Sequence, residues 1–370
     1  MTTATSHRRA KLSGWVAAQI VATAPSPTRL EITDLQAFLI REPVSKRAYT
    51  VLRIRTRNGT TGYGEAPLTS AADLAAARQF WIGKPASAYA TVSPSSSLSG
   101  AVDMALLDIL GKSCNAPVYR VLGGPTRNKA RSFASIAGSH LQQAVTAGHR
   151  AFGIALPPPA ARNQGQAYQR ELKQMLDALR SGAGQQYDFI LEGQGLLTPG
   201  DAANVAATVE PMHPLWFDEP CHIGNLQAIR KIADESVVPL GFGRDAANAG
   251  VFQNLLRESL IDILRPDIAR EGISSIRRLA AMAETYYVAV APRHEGGPIA
   301  TAAALHLAAS LPNFFIQQIP LATAPEDAAM RSALAGPALE RIRDGFAALP
   351  TGPGLGITIN ESALEKYHAA

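Results

Sequence analysis

The sequence predicts an α/β protein: a barrel of eight parallel strands with intervening helices, preceded by an α+β domain. Three observations lead to it. Between Pro214 and Arg270 the runs PLWFDEP, VPLGFGRD and LIDILRPDIAR are each short, apolar and closed by charged residues. That is the pattern of a parallel strand buried on both faces that surfaces only at its C-terminal end. The charged or polar residue at successive strand ends recurs at spacings of 26, 26, 23, 26 and 25 positions, through Glu192, Asp218, Arg244, Asp267, Arg293 and Gln318. One strand, one helix and two loops need about that length, so a βα unit is being repeated. Upstream, apolar and polar residues alternate on both sides of Asn58-Gly59, a strong hairpin signal.

Taken in order, residues 1–29 form a tail. Ser6-His7-Arg8-Arg9 followed by LSGWVAAQIVATA resembles a weak twin-arginine export signal, set against a plain tail. The expected compartment is therefore the cytoplasm, with the periplasm as the alternative. The apolar run is too short to span a membrane. Residues 30–127 read as the α+β domain: two alternating stretches around the hairpin, then an Ala-rich region over 71–112 with apolar residues at helical spacing and Gly111 placed to cap. Residues 128–322 read as the barrel, with strands expected at 131–136, 151–156, 187–192, 215–218, 238–243, 261–264, 287–291 and 314–317. Segments such as TPGDAANVAATVE and GISSIRRLAAMAETY supply helices between them, and eight such strands close into a barrel. The remainder, 323–370, is too irregular for a ninth unit and is expected to return to the N-terminal domain.

Composition narrows the function. With 370 residues, 46% hydrophobic and 18% charged, the chain can bury a large core. Of the net charge of +5, Arg8, Arg9 and Lys11 in the tail supply three, leaving +2 for the body. No basic stripe with interleaved aromatics is present, which argues against nucleic acid as a partner. Cys114 and Cys221 lack metal-site spacing and read as free thiols.

In this order GTTGYGEA, AVDMALLDILGK, APVYRVLGG, PLWFDEP, ILRPDIAREGI and GPGLGI resemble the enolase superfamily, in its mandelate racemase and muconate lactonizing branch. The resemblance spans residues 30–370. AETYYVAVAPRHEGGPIATAAALHL looks most like acid-sugar dehydratases of the galactonate type. It implies a TIM barrel of the modified enolase kind under a capping domain, with Arg41, Lys46 and Arg47 in the loop REPVSKR placed to grip an anionic substrate. It also implies a homo-oligomer.

The chemistry implied is removal of a proton beside a carboxylate, which needs concentrated positive charge for the enediolate and a nearby base. The family supplies these with magnesium on three carboxylates and a Lys-x-Lys or His-Asp base. Here the Lys-x-Lys position reads Gly153-Ile154-Ala155. The first two metal positions become Glu192 and Asp218, with Gln194 following the first at a polar position. The third becomes Arg244, and a guanidinium cannot ligate a cation. Asp245 could substitute only by a shift into the loop. Asp267 is retained, with Arg270 three residues on. The histidine position holds Arg293, and His294 follows on the opposite face of an extended segment. Gln318 stands at the acidic position of the last strand.

Three carboxylates with a divalent ion carry −1, and so do Glu192, Asp218 and Arg244. Arg244 is therefore expected between the two carboxylates as a substitute for the metal, and Arg293 is expected to pair with Asp267. Candidate site residues are thus Asp267, Arg293 and His294 as catalytic or structural groups, with Arg41, Lys46, Arg47, Gln194, Arg270 and Gln318 around a ligand. Glu192 and Asp218 are degenerate metal positions. Three function classes follow: a divergent member binding a small carboxylate or acid sugar without a cofactor; a working lyase or isomerase with an altered Mg2+ site; and a non-catalytic scaffold.

Overall fold

The computed structural model describes residues 29–91, 97–159, 165–184, 186–244 and 249–369. The export-like tail and Asp245 lie outside these. Strands β1 (Ile32–Arg41), β2 (Ala48–Thr56) and β3 (Thr61–Ala66) form an antiparallel sheet in that order. Asn58-Gly59 makes the β2–β3 turn, with Gly59 at φ 85°. The helix Ser99–Ser113 lies on this sheet at close range. A Cβ at Gly64 would stand 1.8 Å from the Ala101 carbonyl oxygen, and one at Gly62 would stand 2.1 Å from that of Ala105. The TGYG stretch is thus small because a helix backbone occupies the space where side chains would go. Asp108 on that helix accepts from the Tyr63 and Leu355 amides and from Lys112, tying sheet, helix and C-terminal segment together.

The barrel follows as eight parallel strands: β4 (Lys129–Ile136), β5 (Ala151–Ala155), β6 (Asp188–Glu192), β7 (Phe217–Asp218), β8 (Leu240–Phe242), β9 (Ile263–Leu264), β10 (Ala289–Val290) and β11 (Gln317–Gln318). Neighbours in sequence are neighbours in the sheet from β4 to β10. A bridge from Val290 to Phe314 and the pairing of β11 with β4 complete the circle. Inside it pack Phe133, Ile190, Trp216, Ile263 and Ile316, one apolar layer below the strand ends. Among the described residues no helix is long and apolar enough to cross a membrane.

The C-terminal segment departs from expectation in part. Its helix Pro325–Ala335 follows β11, and strands β12 (Ile342–Arg343) and β13 (Phe346–Ala348) form a hairpin that extends the barrel sheet by pairing β13 with β4. Beyond it the chain does return to the N-terminal sheet. Gly354 bridges Pro117, Glu361 pairs with Arg53, and the Ala369 amide donates to the Leu39 carbonyl. A hairpin of four paired residues gives too little alternation to be read from sequence as a strand pair.

Candidate ligand site at the barrel mouth

The strand ends bring the expected residues to one end of the barrel, but not in the expected pairing. Glu192 and Asp218 are register partners on β6 and β7, both buried. Their carboxylates diverge. Glu192 turns toward β4 and β5, where its Oε1 accepts from the Ser135 hydroxyl at 2.5 Å and lies 2.3 Å from where a Gly153 Cβ would stand. The glycine in the place of a basic side chain is the space the longer Glu192 fills. Asp218 turns the other way, over Gly241, and its Oδ1 accepts from Trp216 Nε1 at 2.7 Å and Arg265 Nε at 3.0 Å. Burial, reinforced by the neighbouring Asp218 charge, raises the Glu192 pKa against the opposing pull of Ser135, Arg265 and Arg244.

Arg265 is the cation at the centre, and Arg244 is not. Arg265 is 1% exposed. Besides Asp218 it donates Nη1 to the Ala291 carbonyl at 2.6 Å and Nη2 to Gln318 Oε1 at 2.9 Å. Its guanidinium carbon stands 5.2 Å from the ring centres of both Phe133 and Trp216. A buried charge needs this saturation: a carboxylate, two neutral acceptors and two aromatic faces. Arg244 instead follows the β8 end outward. Its amide and that of Gly243 donate to Glu219 Oε1, both at 2.6 Å, and its Nη2 reaches Glu295 at 3.2 Å. The expectation that Arg244 bridges Glu192 and Asp218 is overturned, because Glu219 pins its backbone where the chain leaves the barrel.

Above this floor Arg293 and Asp267 pair as expected, at 3.1 Å, with the Arg293 Nη2 also on Glu295 at 2.5 Å. Burial works against the Arg293 charge, but Asp267, Glu295, Asp218 and Glu192 outweigh it and hold its pKa above the ordinary value. Asp267 additionally caps the helix Ile268–Glu284 through the amides of Ala269 and Arg270. A cavity of about 320 Å³ lies over these residues, walled on the barrel side by Arg244, Asp267, Arg270 and Arg293 and on the other by Arg47, Tyr49 and Glu65. The loop after β1 is fixed over it: Val44 and Ser45 amides donate to Asp327, each at 2.8 Å, and buried Arg331 joins Glu42 to Glu340 and the Gly296 carbonyl.

Several expected site residues lie elsewhere. Arg41 and Lys46 are exposed and away from the cavity, with Lys46 Nζ on the Pro43 carbonyl. His294 is fully buried behind the mouth, its Nε2 3.2 Å from the Thr301 hydroxyl, and burial together with Arg331, Arg47 and Arg293 depresses its pKa well below the ordinary range. It faces away from Arg293, as alternation along an extended segment dictates. Gln194, at φ 56° in the loop after β6, does not line the cavity. Gln318 lies below the mouth as a partner of Arg265. Sequence reading missed Arg265, Glu219, Glu295 and Glu65. Alternation could have found the first: Ile263, Arg265 and Asp267 share one face.

Magnesium fits this donor set poorly. Asp218 Oδ1 is committed to Arg265 and Trp216, Glu192 is turned to Ser135, and the third position is a guanidinium directed at Glu295. Among the described residues no three His, Cys, Asp or Glu side chains converge to hold a metal.

A closed (β/α)8 barrel with an N-terminal capping domain and a charged cavity at its C-terminal mouth defines the class. Residues 137–363 match the enolase C-terminal domain-like family, so the chain belongs to that family, within the enolase superfamily. Among similar proteins are a D-galactonate dehydratase of Verminephrobacter eiseniae, 30% identical over 280 residues and covering 71% of each chain, and a D-galactonate dehydratase family member of Streptomyces bingchenggensis, 29% identical over 326 residues and covering 74% of this chain and 79% of that one. The fold is shared with a mandelate racemase/muconate lactonizing enzyme-like protein from Roseovarius sp. TM1035, at a TM-score of 0.81 and 24% identity over 92% of this chain and 96% of that one.

Two outcomes test this geometry. Arg265→Met should cost about 3–5 kcal/mol in urea denaturation, and Asp218→Asn a similar amount, since each strands a buried charge. R265M/D218N combined should recover a large part of the loss; simple additivity of the two losses would contradict the pairing. Glu65, fully buried and lining the cavity, is raised by burial to about 7, against hydrogen bonds from the Gly297 and Ala300 amides that favour its charge. A carboxyl raised on folding contributes stability that is complete below its unfolded pKa of about 4.5 and lost as pH rises through about 7. Melting of Glu65→Gln should therefore improve relative to wild type from about pH 5 to about pH 8, by up to about 3 kcal/mol. A pH-independent difference would contradict a buried, neutralised Glu65.

Proposed function

We propose that the protein binds a small polyhydroxy carboxylate, an acid sugar, in the cavity at the barrel mouth without a divalent ion. It derives from lyases that remove a proton beside a carboxylate, and that chemistry has lost its usual metal and base positions here. The observation that carries this reading is Arg265: a permanent positive charge bonded to Asp218 in the middle of the barrel floor. A cation of the chain itself stands beneath the place where family chemistry holds an ion, and the second metal position is consumed in neutralising it.

Ligand class follows from the cavity walls and from the relatives. Arg47, Arg244, Arg270 and Arg293 face one cavity together with Asp267, Glu65 and Glu295. Guanidiniums suit a carboxylate through paired N–H donors, and the carboxylates suit hydroxyl groups. The similar proteins include dehydratases named for D-galactonate and D-gluconate. Those two sugar acids are the first probes to use.

Calorimetric titration with D-galactonate and D-gluconate should give the same affinity in magnesium as in EDTA. Proton NMR of the same mixtures should show no dehydration product. Binding or turnover that appears only with magnesium would overturn the metal-independent reading and favour a working lyase.

A further inference from the structure

The Glu295 carboxylate stands where a ligand carboxylate would be expected. Its Oε1 accepts from Arg293 Nη2 at 2.5 Å and from Arg244 Nη2 at 3.2 Å, so one oxygen bridges guanidiniums from two strand ends at the cavity wall. The three residues are unequal in freedom. Arg293 is buried and fastened a second time to Asp267, and Arg244 is fixed at its amide by Glu219. The Glu295 side chain is 55% exposed, and no hydrogen bond beyond these two arginines holds its carboxylate among the described residues. Its backbone neighbours are anchored on both sides: the Arg293 amide donates to the Pro266 carbonyl, and that of Gly297 to Glu65. The side chain can therefore leave the arginines by rotating its own bonds, with the chain around it held in place.

We propose that Glu295 is an internal stand-in for the ligand carboxylate: it occupies the Arg244–Arg293 pair in the free protein and is displaced when an acid binds. The inference rests on the acid-binding reading of the cavity and adds how the carboxylate is received. Pairing with Glu295 keeps two converging cations from repelling each other at the open mouth, and the Glu295 carboxylate, more than half exposed, can exchange these bonds for water. Anion binding at the site is then an exchange of one carboxylate for another. Affinity is set by what the rest of the ligand gains from the cavity, which favours polyhydroxy acids over simple ones.

Glu295→Gln retains size and removes the competing charge. Titrated with D-galactonate and D-gluconate, E295Q should bind the acid that wild type binds at least about fivefold more tightly, and acetate should become a measurable competitor. Glu295→Ala should change affinity in the same direction. Equal or weaker binding by both variants, with wild-type binding intact, would overturn the stand-in and make Glu295 a direct ligand contact or a prop for the arginines. If neither wild type nor either variant binds any acid, the acid-binding reading fails, and this inference with it. Circular dichroism melts of the two variants should remain cooperative and lie only slightly below wild type, since Asp267 still pairs with Arg293 when the Glu295 charge is removed.

Discussion

A guanidinium in the interior of a barrel must be neutralised on the spot, and the arrangement around Arg265 answers that demand. Its Nε meets Asp218, one Nη the Ala291 carbonyl, the other Gln318, and two aromatic faces close the sandwich. Gly241 leaves the room that Asp218 occupies, and Trp216 donates to the same oxygen. One carboxylate oxygen of Asp218 and the amide oxygen of Gln318 are thereby committed to Arg265. Glu192, on the neighbouring strand, takes Ser135 and the space over Gly153 instead. Substitutions that look unrelated along the chain are one adjustment in space.

Two tiers of charge result, and they differ in how easily they rearrange. The floor is buried, so breaking the Arg265–Asp218 pair leaves a buried charge without its partner. Above it Arg293 is shared between buried Asp267 and exposed Glu295, and Arg244 meets the same exposed carboxylate. The upper tier can trade partners while the lower one holds its shape. The capping loop is locked by Asp327, and Glu42 by Arg331, so the cavity is formed in advance and only side chains need to move.

Much of the fold was legible because strand ends in a barrel leave a periodic trace. Six charged or polar positions at near-constant spacing located β6 to β11, and Asn58-Gly59 located the β2–β3 hairpin. The Arg293–Asp267 pair was legible for the same reason, since adjacent strands put their ends side by side. Spacing does not say where a side chain goes once the strand has ended. Arg244 begins the loop after Gly243, and Glu219, one residue past a recognised strand end, holds it there. Arg265 sits inside the largely apolar run LIDILRPD, two residues before Asp267, where composition gives no sign of a central cation. Alternation alone sets His294 on the opposite face from Arg293, and it lies buried against Thr301. The docking of the 342–348 hairpin on β4 and the loop latch through Asp327 and Arg331 depend on contacts across hundreds of residues, which a single sequence does not display.

Arg265 holds the centre of the barrel floor, bonded to Asp218. Diffraction from crystals soaked in a manganese salt, recorded at the manganese absorption edge, shows whether an ion can take that place. No anomalous peak is expected between Glu192 and Asp218, with Arg265 still on Asp218. A peak there, coordinated by both carboxylates and with the Arg265 side chain displaced, would contradict that placement.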